Sequence, residues 1–385
     1  DILKTRNNMY ALARTLREGQ WLGATGKPIT NIINIGIGGS QLGPLFCITA
    51  LNDLIIDTLH FHFISDLDPT HFDKVTAKLN PETTLFIVSS KSFTTHETLY
   101  NANKAIAWLK KTGTIDQHMI AITAHAEKAN ALGIANVLPI WDWVGGRFSL
   151  CSSINLITCI AIGPERFAEL LEGAHAMDVH FSQAPFQKNL PVLLALIGIW
   201  NNNFLNRHQL LLLSYAQDLA QFPAYIQQLD MESNGKSIDK QGKAVHYATG
   251  PLVWGGLGNQ SQHSYYQLLC QGTHKITADL ISIDTWNNET INQLCLAHKR
   301  VLTQGVFEES NPSGFIPGNT PLNHISIASC SARAIGALVA LYEHKIFTQG
   351  IIWNINSFDQ PGVESSKKIL KNTLLTKKES MTHDA

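Results

Sequence analysis

The strongest constraint on the fold is an alternation of short apolar runs with segments of helix length. In the first half of the chain, runs rich in β-branched and aromatic residues predict strands at residues 31–35, 62–65, 84–89, 119–123 and 137–140. The segments between these runs predict helices at residues 42–51, 70–79, 95–110 and 126–132. Strand–helix alternation is typical of a parallel sheet covered by helices on both faces. The sequence therefore predicts an α/β fold.

The second half repeats this construction after a helix-like stretch at residues 150–175 and a polar, proline-bearing segment at residues 182–191. Its predicted strands are residues 209–214, 252–254, 278–283 and 351–354. Its predicted helices are residues 191–205, 222–228, 263–271, 291–303 and 332–348, with a last helix from about residue 362. We therefore expect two similar α/β domains, residues 1–181 with a leading helix and residues 182–385 with a C-terminal helix. We also expect that the chain is truncated at both ends.

Composition excludes several classes of protein. The 385 residues are 44% hydrophobic and carry a formal net charge of -1, so no large electrostatic attraction favours nucleic acid or an anionic membrane. No apolar run approaches the ~18–20 residues that span a bilayer. The six cysteines form no C-x-x-C pair, which predicts buried thiols in a reducing, cytoplasmic compartment and neither disulfides nor a zinc site.

Two segments that follow predicted strands have the chemistry of a phosphate site. Glycines and Ser40 follow the first strand, where a turn into a helix exposes backbone N–H groups. A dinucleotide fingerprint is disfavoured because Gln41 occupies the position of its last glycine. A tight turn without a ligand is an open alternative.

The second of these segments is richer in donors. Its hydroxyls and one ammonium precede the helix at residue 95, and they include Ser90, Lys91, Ser92 and Thr95. An ordinary helix cap needs one hydroxyl and this segment has more, which favours phosphate binding over capping alone.

Charged residues in four further segments are candidates for acid–base chemistry. Arg147 follows a pair of glycines that includes Gly146, and Glu232, four residues after Gln228, precedes the turn sequence Ser-Asn-Gly. His263 stands at a predicted helix start. Each has a simpler interpretation, as a surface ion pair, a solvated carboxylate or a structural histidine. Lys367, one turn into the last helix, is likewise open to interpretation as a helix-face lysine that extends to water.

Taken together, these segments resemble the glucose-6-phosphate isomerase family. Two long stretches look like signatures of that family, residues 142–155 (Asp-Trp-Val-Gly-Gly-Arg-Phe-Ser-Leu-Cys-Ser-Ser-Ile-Asn) and residues 350–367. Ser-Lys-Ser-Phe-Thr-Thr, Met-Glu-Ser-Asn-Gly-Lys and Gln-His-Ser-Tyr-Tyr-Gln-Leu also look like family segments, in the family's order. The resemblance covers nearly the whole chain.

The resemblance implies two sugar-isomerase (SIS) domains and a homodimer whose active site uses both subunits. It implies that glucose 6-phosphate and fructose 6-phosphate interconvert through ring opening and a cis-enediol(ate), in glycolysis and gluconeogenesis, with no metal or cofactor. Glu232 then matches the base that moves a proton between C1 and C2, and Arg147 the cation that stabilises the enediolate. His263, contributed by the partner subunit, and Lys367 match the ring-opening residues.

The remaining matches concern substrate binding. Gln228 matches a glutamine that contacts the substrate, Gly146 lines the site, and the residues that fall on the phosphate pocket are Ser40, Ser90, Lys91, Ser92 and Thr95. The chain departs from the family at Ser92, commonly Thr, and at His96, commonly Gln. It also has Gly255-Gly256-Leu257 where Gly-Glu-Pro is usual, which changes the local loop.

Two rival functions remain open from the residues. A non-catalytic sugar-phosphate sensor would need the hydroxyl segment but not Glu232, His263 or Lys367, and all three are present. Another SIS-domain isomerase, such as one for an amino-sugar phosphate, would not require both long signatures.

Overall fold

The first half of the chain folds around a five-stranded parallel sheet in the computed structural model, which describes residues 1–110, 113–307 and 309–369. The strands are β1 (Asn31–Ile35), β2 (His60–Ile64), β3 (Thr84–Ser89), β4 (Met119–Thr123) and β5 (Asn136–Pro139). Their order is β2-β1-β3-β4-β5, and every neighbouring pair is parallel. All residues of β3 and β4 are buried, because helices cover both faces of the sheet.

The described residues of this half form seven α-helices. They are α1 (Ile2–Arg17), α2 (Leu42–Ala50), α3 (Pro69–Thr76), α4 (His96–Leu109), α5 (Ala126–Ala131), α6 (Leu156–Ile162) and α7 (Pro164–Gln183). The helix predicted at residues 150–175 is two helices, because Gly163 has φ +86° and Pro164 then starts α7.

The second half contains a four-stranded parallel sheet. Its strands are β6 (Gln209–Ser214), β7 (Leu252–Leu257), β8 (Thr277–Ile283) and β9 (Leu322–Ile327), in the order β7-β6-β8-β9. Its helices are α8 (Leu190–Ile199), α9 (Phe222–Asn234), α10 (Gly258–Ser261), α11 (Tyr266–Gln271), α12 (Thr290–Gln304) and α13 (Ala332–Ile352). Residues 361–369 are also helical. Two parallel sheets flanked by helices confirm the predicted fold class.

One predicted strand is wrong. Residues 351 and 352 form the last turn of α13, and Trp353 and Asn354 lie in the turn that follows. A short apolar run does not distinguish a strand from the end of a buried helix. The fourth strand is instead β9, which the prediction missed because its Asn, His and Ser residues interrupt the apolar pattern.

The two halves are joined by the packing of α7 on α13. A Cβ on Gly173 would lie 1.9 Å from the carbonyl oxygen of Arg333, and one on Gly336 would lie 1.9 Å from that of Leu170. The two helix backbones therefore touch at a pair of glycines. The predicted division after residue 181 falls in the last turn of α7 and stays a prediction.

The strand order of each sheet indicates where a ligand-binding crevice lies. In the first sheet the chain leaves β1 toward β2 on one side, whereas β3 and β4 lie on the other. The order reverses in the same way around β6 and β8 in the second sheet. Ligands of open α/β sheets bind at such points, beyond the carboxyl ends of the strands. In the part of the chain that the structure describes, no helix has the length and apolarity to cross a bilayer.

Candidate active site

The glycine turn after β1 lies against the turn that carries Arg147. A Cβ on Gly39 would lie 1.9 Å from the carbonyl oxygen of Gly146, so only glycine allows this approach. The amide of Asn34 donates to the carbonyl oxygen of Ser40 at 2.9 Å and accepts from the Ser89 hydroxyl at 3.0 Å. The ends of β1 and β3 are thereby tied to one turn.

The hydroxyls of the loop after β3 bond to one another and do not cap α4. Thr95 occupies the N-cap position of α4, yet its side chain makes no capping hydrogen bond. The Ser90 hydroxyl instead lies 3.3 Å from that of Thr95, and the Thr94 hydroxyl donates to Ser92 at 2.9 Å. Phe93 has φ +47°, a left-handed conformation that turns the loop back on itself. Simple capping therefore does not explain these hydroxyls.

Lys91, predicted to bind phosphate, has an additional structural contact. Its ammonium donates to the carbonyl oxygens of Asp142 and Val144, both at 2.9 Å. These bonds fasten the loop that precedes Gly146 and Arg147. A phosphate contact by Lys91 stays a prediction.

Arg147 is the centre of the candidate site and is only 3% exposed. Its Nε donates to the Ser233 hydroxyl at 2.7 Å, and its Nη1 donates to Gln360 Oε1 at 3.0 Å. The same Nη1 lies 3.3 Å from Glu232 Oε2. Burial lowers the pKa of Arg147, and the nearby Glu232 opposes that effect. A guanidinium nevertheless remains charged in proteins, so this is a fixed cation beside a carboxylate.

The other end of the guanidinium binds main-chain oxygens. Nη2 donates to the carbonyl oxygens of Ser357 at 2.6 Å and Asp359 at 3.0 Å. All five N–H donors of Arg147 therefore face protein acceptors. The Nη1 contact to Glu232 is the longest of the five.

Glu232 lies in the last turn of α9 and is held through one oxygen. Gln228, one helical turn earlier, donates to Oε2 at 3.0 Å, and Arg147 approaches the same atom. Within the described residues, Oε1 makes no hydrogen bond or ion pair. The side chain is 24% exposed, so its second oxygen is available to a proton donor.

The glycine turn also approaches α9. A Cβ on Gly38 would lie 2.9 Å from Nε2 of Gln228, so the turn after β1 lies over the residue that holds Glu232. The structure therefore brings Gly146, Arg147, Gln228 and Glu232 together with the turn of Ser40.

His263 and Lys367 are placed differently. His263 lies in the turn between α10 and α11, and its ring is exposed. Lys367 is exposed on the helix of residues 361–369, with its Nζ 3.9 Å from Glu364 Oε1. Neither side chain contacts Arg147 or Glu232 within the part of the chain that the structure describes.

Sequence reasoning missed several residues of the site. Ser233, Ser357, Asp359 and Gln360 contact Arg147. The ammonium of Lys236 donates to the carbonyl oxygens of Asn356 and Asp359 in the same loop. Their position along the chain could have indicated them, because each of the five lies in a segment that also contains a predicted site residue, Glu232 or Lys367. Among the described residues, no group of three or more His, Cys, Asp or Glu side chains is arranged to hold a metal ion.

The fold recurs in proteins that act on phosphosugars. The C-terminal domain of glucosamine-fructose-6-phosphate aminotransferase from Francisella tularensis superimposes with a TM-score of 0.55 at 11% identity, over 93% of this chain and 94% of that one. At that identity the match shows the fold alone. The class that the fold defines is that of proteins with two parallel α/β sheets flanked by helices.

Comparison with more similar proteins narrows this class. The sequence matches the phosphoglucose isomerase family over residues 1–385. It is 59% identical over 375 residues to a glucose-6-phosphate isomerase of Legionella pneumophila (strain Paris), covering 97% of this chain and 75% of the relative. A crystal structure of a glucose-6-phosphate isomerase from Chlamydia trachomatis D/UW-3/Cx has a TM-score of 0.91 at 31% identity, over 98% of this chain and 74% of that one. The chain belongs to the phosphoglucose isomerase family, as the sequence predicted.

Proposed function

We propose that this chain is a glucose-6-phosphate isomerase that interconverts glucose 6-phosphate and fructose 6-phosphate. The observation that carries the proposal is the placement of Glu232. One of its oxygens is held by Arg147 and Gln228 and the other is available, at the crevice beyond β1 and β3. Membership of the phosphoglucose isomerase family supports the same reaction.

The reaction needs one base that removes a proton and returns it. Glu232 takes the proton from the carbon next to the carbonyl, which gives an enediol(ate), and delivers the proton to the adjacent carbon. The negative charge that develops on oxygen lies beside the Arg147 cation. Because Gln228 and Arg147 hold Oε2, the carboxylate keeps its orientation while Oε1 exchanges the proton.

The phosphate positions the reacting carbons. In the proposal the hydroxyls of Ser90, Ser92 and Thr95 bind it together with Ser40 and Lys91. The absence of a capping bond from Thr95 supports this assignment. The binding energy of a non-reacting phosphate then holds C1 and C2 near Glu232.

Ring opening needs a second acid–base pair, and we assign it to His263 and Lys367. In the proposal the enzyme is a homodimer and His263 of the partner subunit completes each site. The exposure of both side chains supports a surface that becomes a site on association. We further propose that the enzyme is cytoplasmic and acts in glycolysis and gluconeogenesis without a metal or cofactor.

A coupled assay tests the reaction. Fructose 6-phosphate is converted with glucose-6-phosphate dehydrogenase as reporter, and glucosamine 6-phosphate and unphosphorylated fructose serve as comparison substrates. The proposal expects turnover of fructose 6-phosphate and solvent deuterium at C2 of the product. Purified, folded chain that binds fructose 6-phosphate without turnover would favour a sensor. Preferential turnover of the amino sugar would favour a different isomerase of the class.

A further inference from the structure

Lys236 makes a dense set of contacts that the reaction described above does not use. It lies two residues beyond α9, and its side chain is 11% exposed. Its ammonium donates to the carbonyl oxygens of Ser233 at 2.9 Å, Asn356 at 2.9 Å and Asp359 at 2.8 Å. It also lies 3.2 Å from the main-chain oxygen of Glu232. These acceptors come from two segments that are distant in sequence.

The first segment is the carboxyl end of α9. The last carbonyl groups of a helix lack intrahelical partners, and the helix dipole makes that end negative. A cation at this end of the helix donates hydrogen bonds to the unpaired carbonyl oxygens and offsets the negative end of the dipole. Lys236 therefore fixes the turn of α9 that carries Glu232, and it does so through main-chain oxygens and not through the reactive carboxylate.

The second segment is the loop of residues 356–360. Its Asp359 carbonyl oxygen accepts from both Lys236 Nζ and Arg147 Nη2, and its Asp359 carboxylate lies 3.2 Å from Lys236 Nζ. The Ser357 hydroxyl adds a bond to Asn234 at 2.7 Å. The same loop thus supplies acceptors to Arg147 and is itself fastened to α9 by Lys236.

We propose that Lys236 is a positioning residue for the isomerisation, whose ammonium clamps residues 356–360 onto the carboxyl end of α9 and thereby orients Arg147 against Glu232. The proposal rests on the proposed function for the roles of those two residues. Burial lowers the pKa of the Lys236 ammonium, and the Asp359 carboxylate opposes this effect and helps to keep the clamp charged.

Kinetics of Lys236→Met test the clamp. Methionine retains most of the side-chain volume and removes all of the donors. Because a displacement of about 1 Å can cost ~10²-fold in rate, we expect kcat to fall by roughly 10–100-fold. KM and inhibition by inorganic phosphate should stay within about two-fold, since the phosphate hydroxyls lie on another loop. Lys236→Arg, which keeps the charge and donors, should recover part of the lost kcat.

Lys243→Met is the matched control, because Lys243 is exposed nearby and its side chain makes no hydrogen bond or ion pair within the described residues. It should retain wild-type kinetics. A Lys236→Met variant with wild-type kcat, or one whose phosphate inhibition weakens as much as its kcat falls, would overturn the proposal.

Hydrogen exchange provides a readout that needs no turnover. In Lys236→Met, the amides of residues 356–360 and of residues 145–148 should exchange faster together, with neither segment affected in Lys243→Met. Faster exchange at 356–360 with no change at 145–148 would show that Lys236 does not act through Arg147, and would overturn the proposal. If the wild-type chain is inactive but the two segments respond together, the proposed function fails and the clamp stands.

Discussion

Two pairs of candidate catalytic residues occupy contrasting environments. Arg147 and Glu232 lie 3.3 Å apart, and both are held by bonds from several elements of the same chain. His263 and Lys367 are exposed, and the one ion pair of Lys367 among the described residues is a 3.9 Å contact with Glu364. Within the described residues, folding of the chain brings the first pair together and leaves the second pair exposed.

In the proposed mechanism, the difference between the two pairs follows from what each step demands. Proton transfer between adjacent carbons needs a fixed base and a fixed cation, and fixed geometry is obtained by burial and multiple hydrogen bonds. Such an arrangement costs free energy when any partner is removed. An exposed histidine or lysine costs little to place, and it acquires its orientation only when another surface approaches. Homodimerisation, as we propose, would provide that surface.

The largest expected effect concerns the base. Glu232→Gln keeps the side-chain size but cannot accept a C–H proton, so we expect kcat to fall by about 10²–10⁴-fold. Binding of fructose 6-phosphate, measured by calorimetry, should change little. Gln227→Glu, a change next to the site that leaves Glu232 intact, serves as the charge control. A Glu232→Gln variant with near-normal turnover would remove Glu232 from the mechanism.

Replacing the buried cation should damage folding as well as activity. Lysine cannot reproduce the bonds of Arg147 to Ser233, Ser357 and Asp359, and each charge-assisted hydrogen bond contributes about 1.5–3 kcal/mol. We expect Arg147→Lys to lower the free energy of unfolding by roughly 3 kcal/mol, measured by urea denaturation. Arg166→Lys, at an exposed ion pair with Glu169, is the control and should stay within about 0.5 kcal/mol. Equal stabilities would show that Arg147 is not a structural centre.

The phosphate loop should affect binding more than chemistry. Ser90→Ala combined with Thr95→Ala should lower kcat/KM by roughly 10²-fold or more, mainly by raising KM, because two hydrogen bonds to a charged phosphate are lost. Part of the loss can appear in kcat, since remote binding energy assists catalysis. Ser182→Ala is the control, because that exposed hydroxyl lies outside the loop and donates to the carbonyl oxygen of Val179. Unchanged KM and unchanged inhibition by inorganic phosphate would place the phosphate elsewhere.

Subunit exchange tests whether the second pair is completed by a partner. Inactive His263→Ala and Glu232→Gln variants are mixed in equal amounts. With random exchange in a two-fold dimer about half of the dimers are mixed, and each has one intact site, so recovery should approach roughly a quarter of wild-type activity. Differently tagged subunits verify the exchange. Absence of recovery despite exchange would place His263 and Glu232 in the same chain's site.

The sequence was sufficient for the strands of the first sheet, because buried parallel strands are continuous apolar runs with clear turn signals. It was insufficient for β9, an edge strand in which polar residues interrupt the pattern. It also assigned residues 351–354 to a strand, since a long buried helix such as α13 ends in residues that are equally apolar.

The candidate site, too, could be predicted from the sequence only in part. The family resemblance indicated Gln228 and Glu232, and the structure places them one helical turn apart on α9. Nothing in the local sequence shows that Arg147 lies against residues 357–360, more than two hundred positions away. Contacts of Lys91 and Lys236 to main-chain oxygens were likewise hidden, because carbonyl acceptors have no sequence signature.

The smallest expected effect is on the stability of the exposed lysine variants, and it separates function from folding. Lys367→Met should change the free energy of unfolding by less than about 0.5 kcal/mol, because the side chain is exposed and its ion pair is long. If Lys367 takes part in ring opening, the same variant should lose most of its activity.

Lys368→Met, at the neighbouring exposed position of the same helix, is the matched control and should keep both stability and activity. Both variants are compared by urea denaturation and by the coupled assay. Because Arg147→Lys should lose both properties, a selective loss of activity in Lys367→Met would confirm that the two pairs differ in how they are held. Equal activity of the two lysine variants would instead assign Lys367 to the solvated surface of its helix.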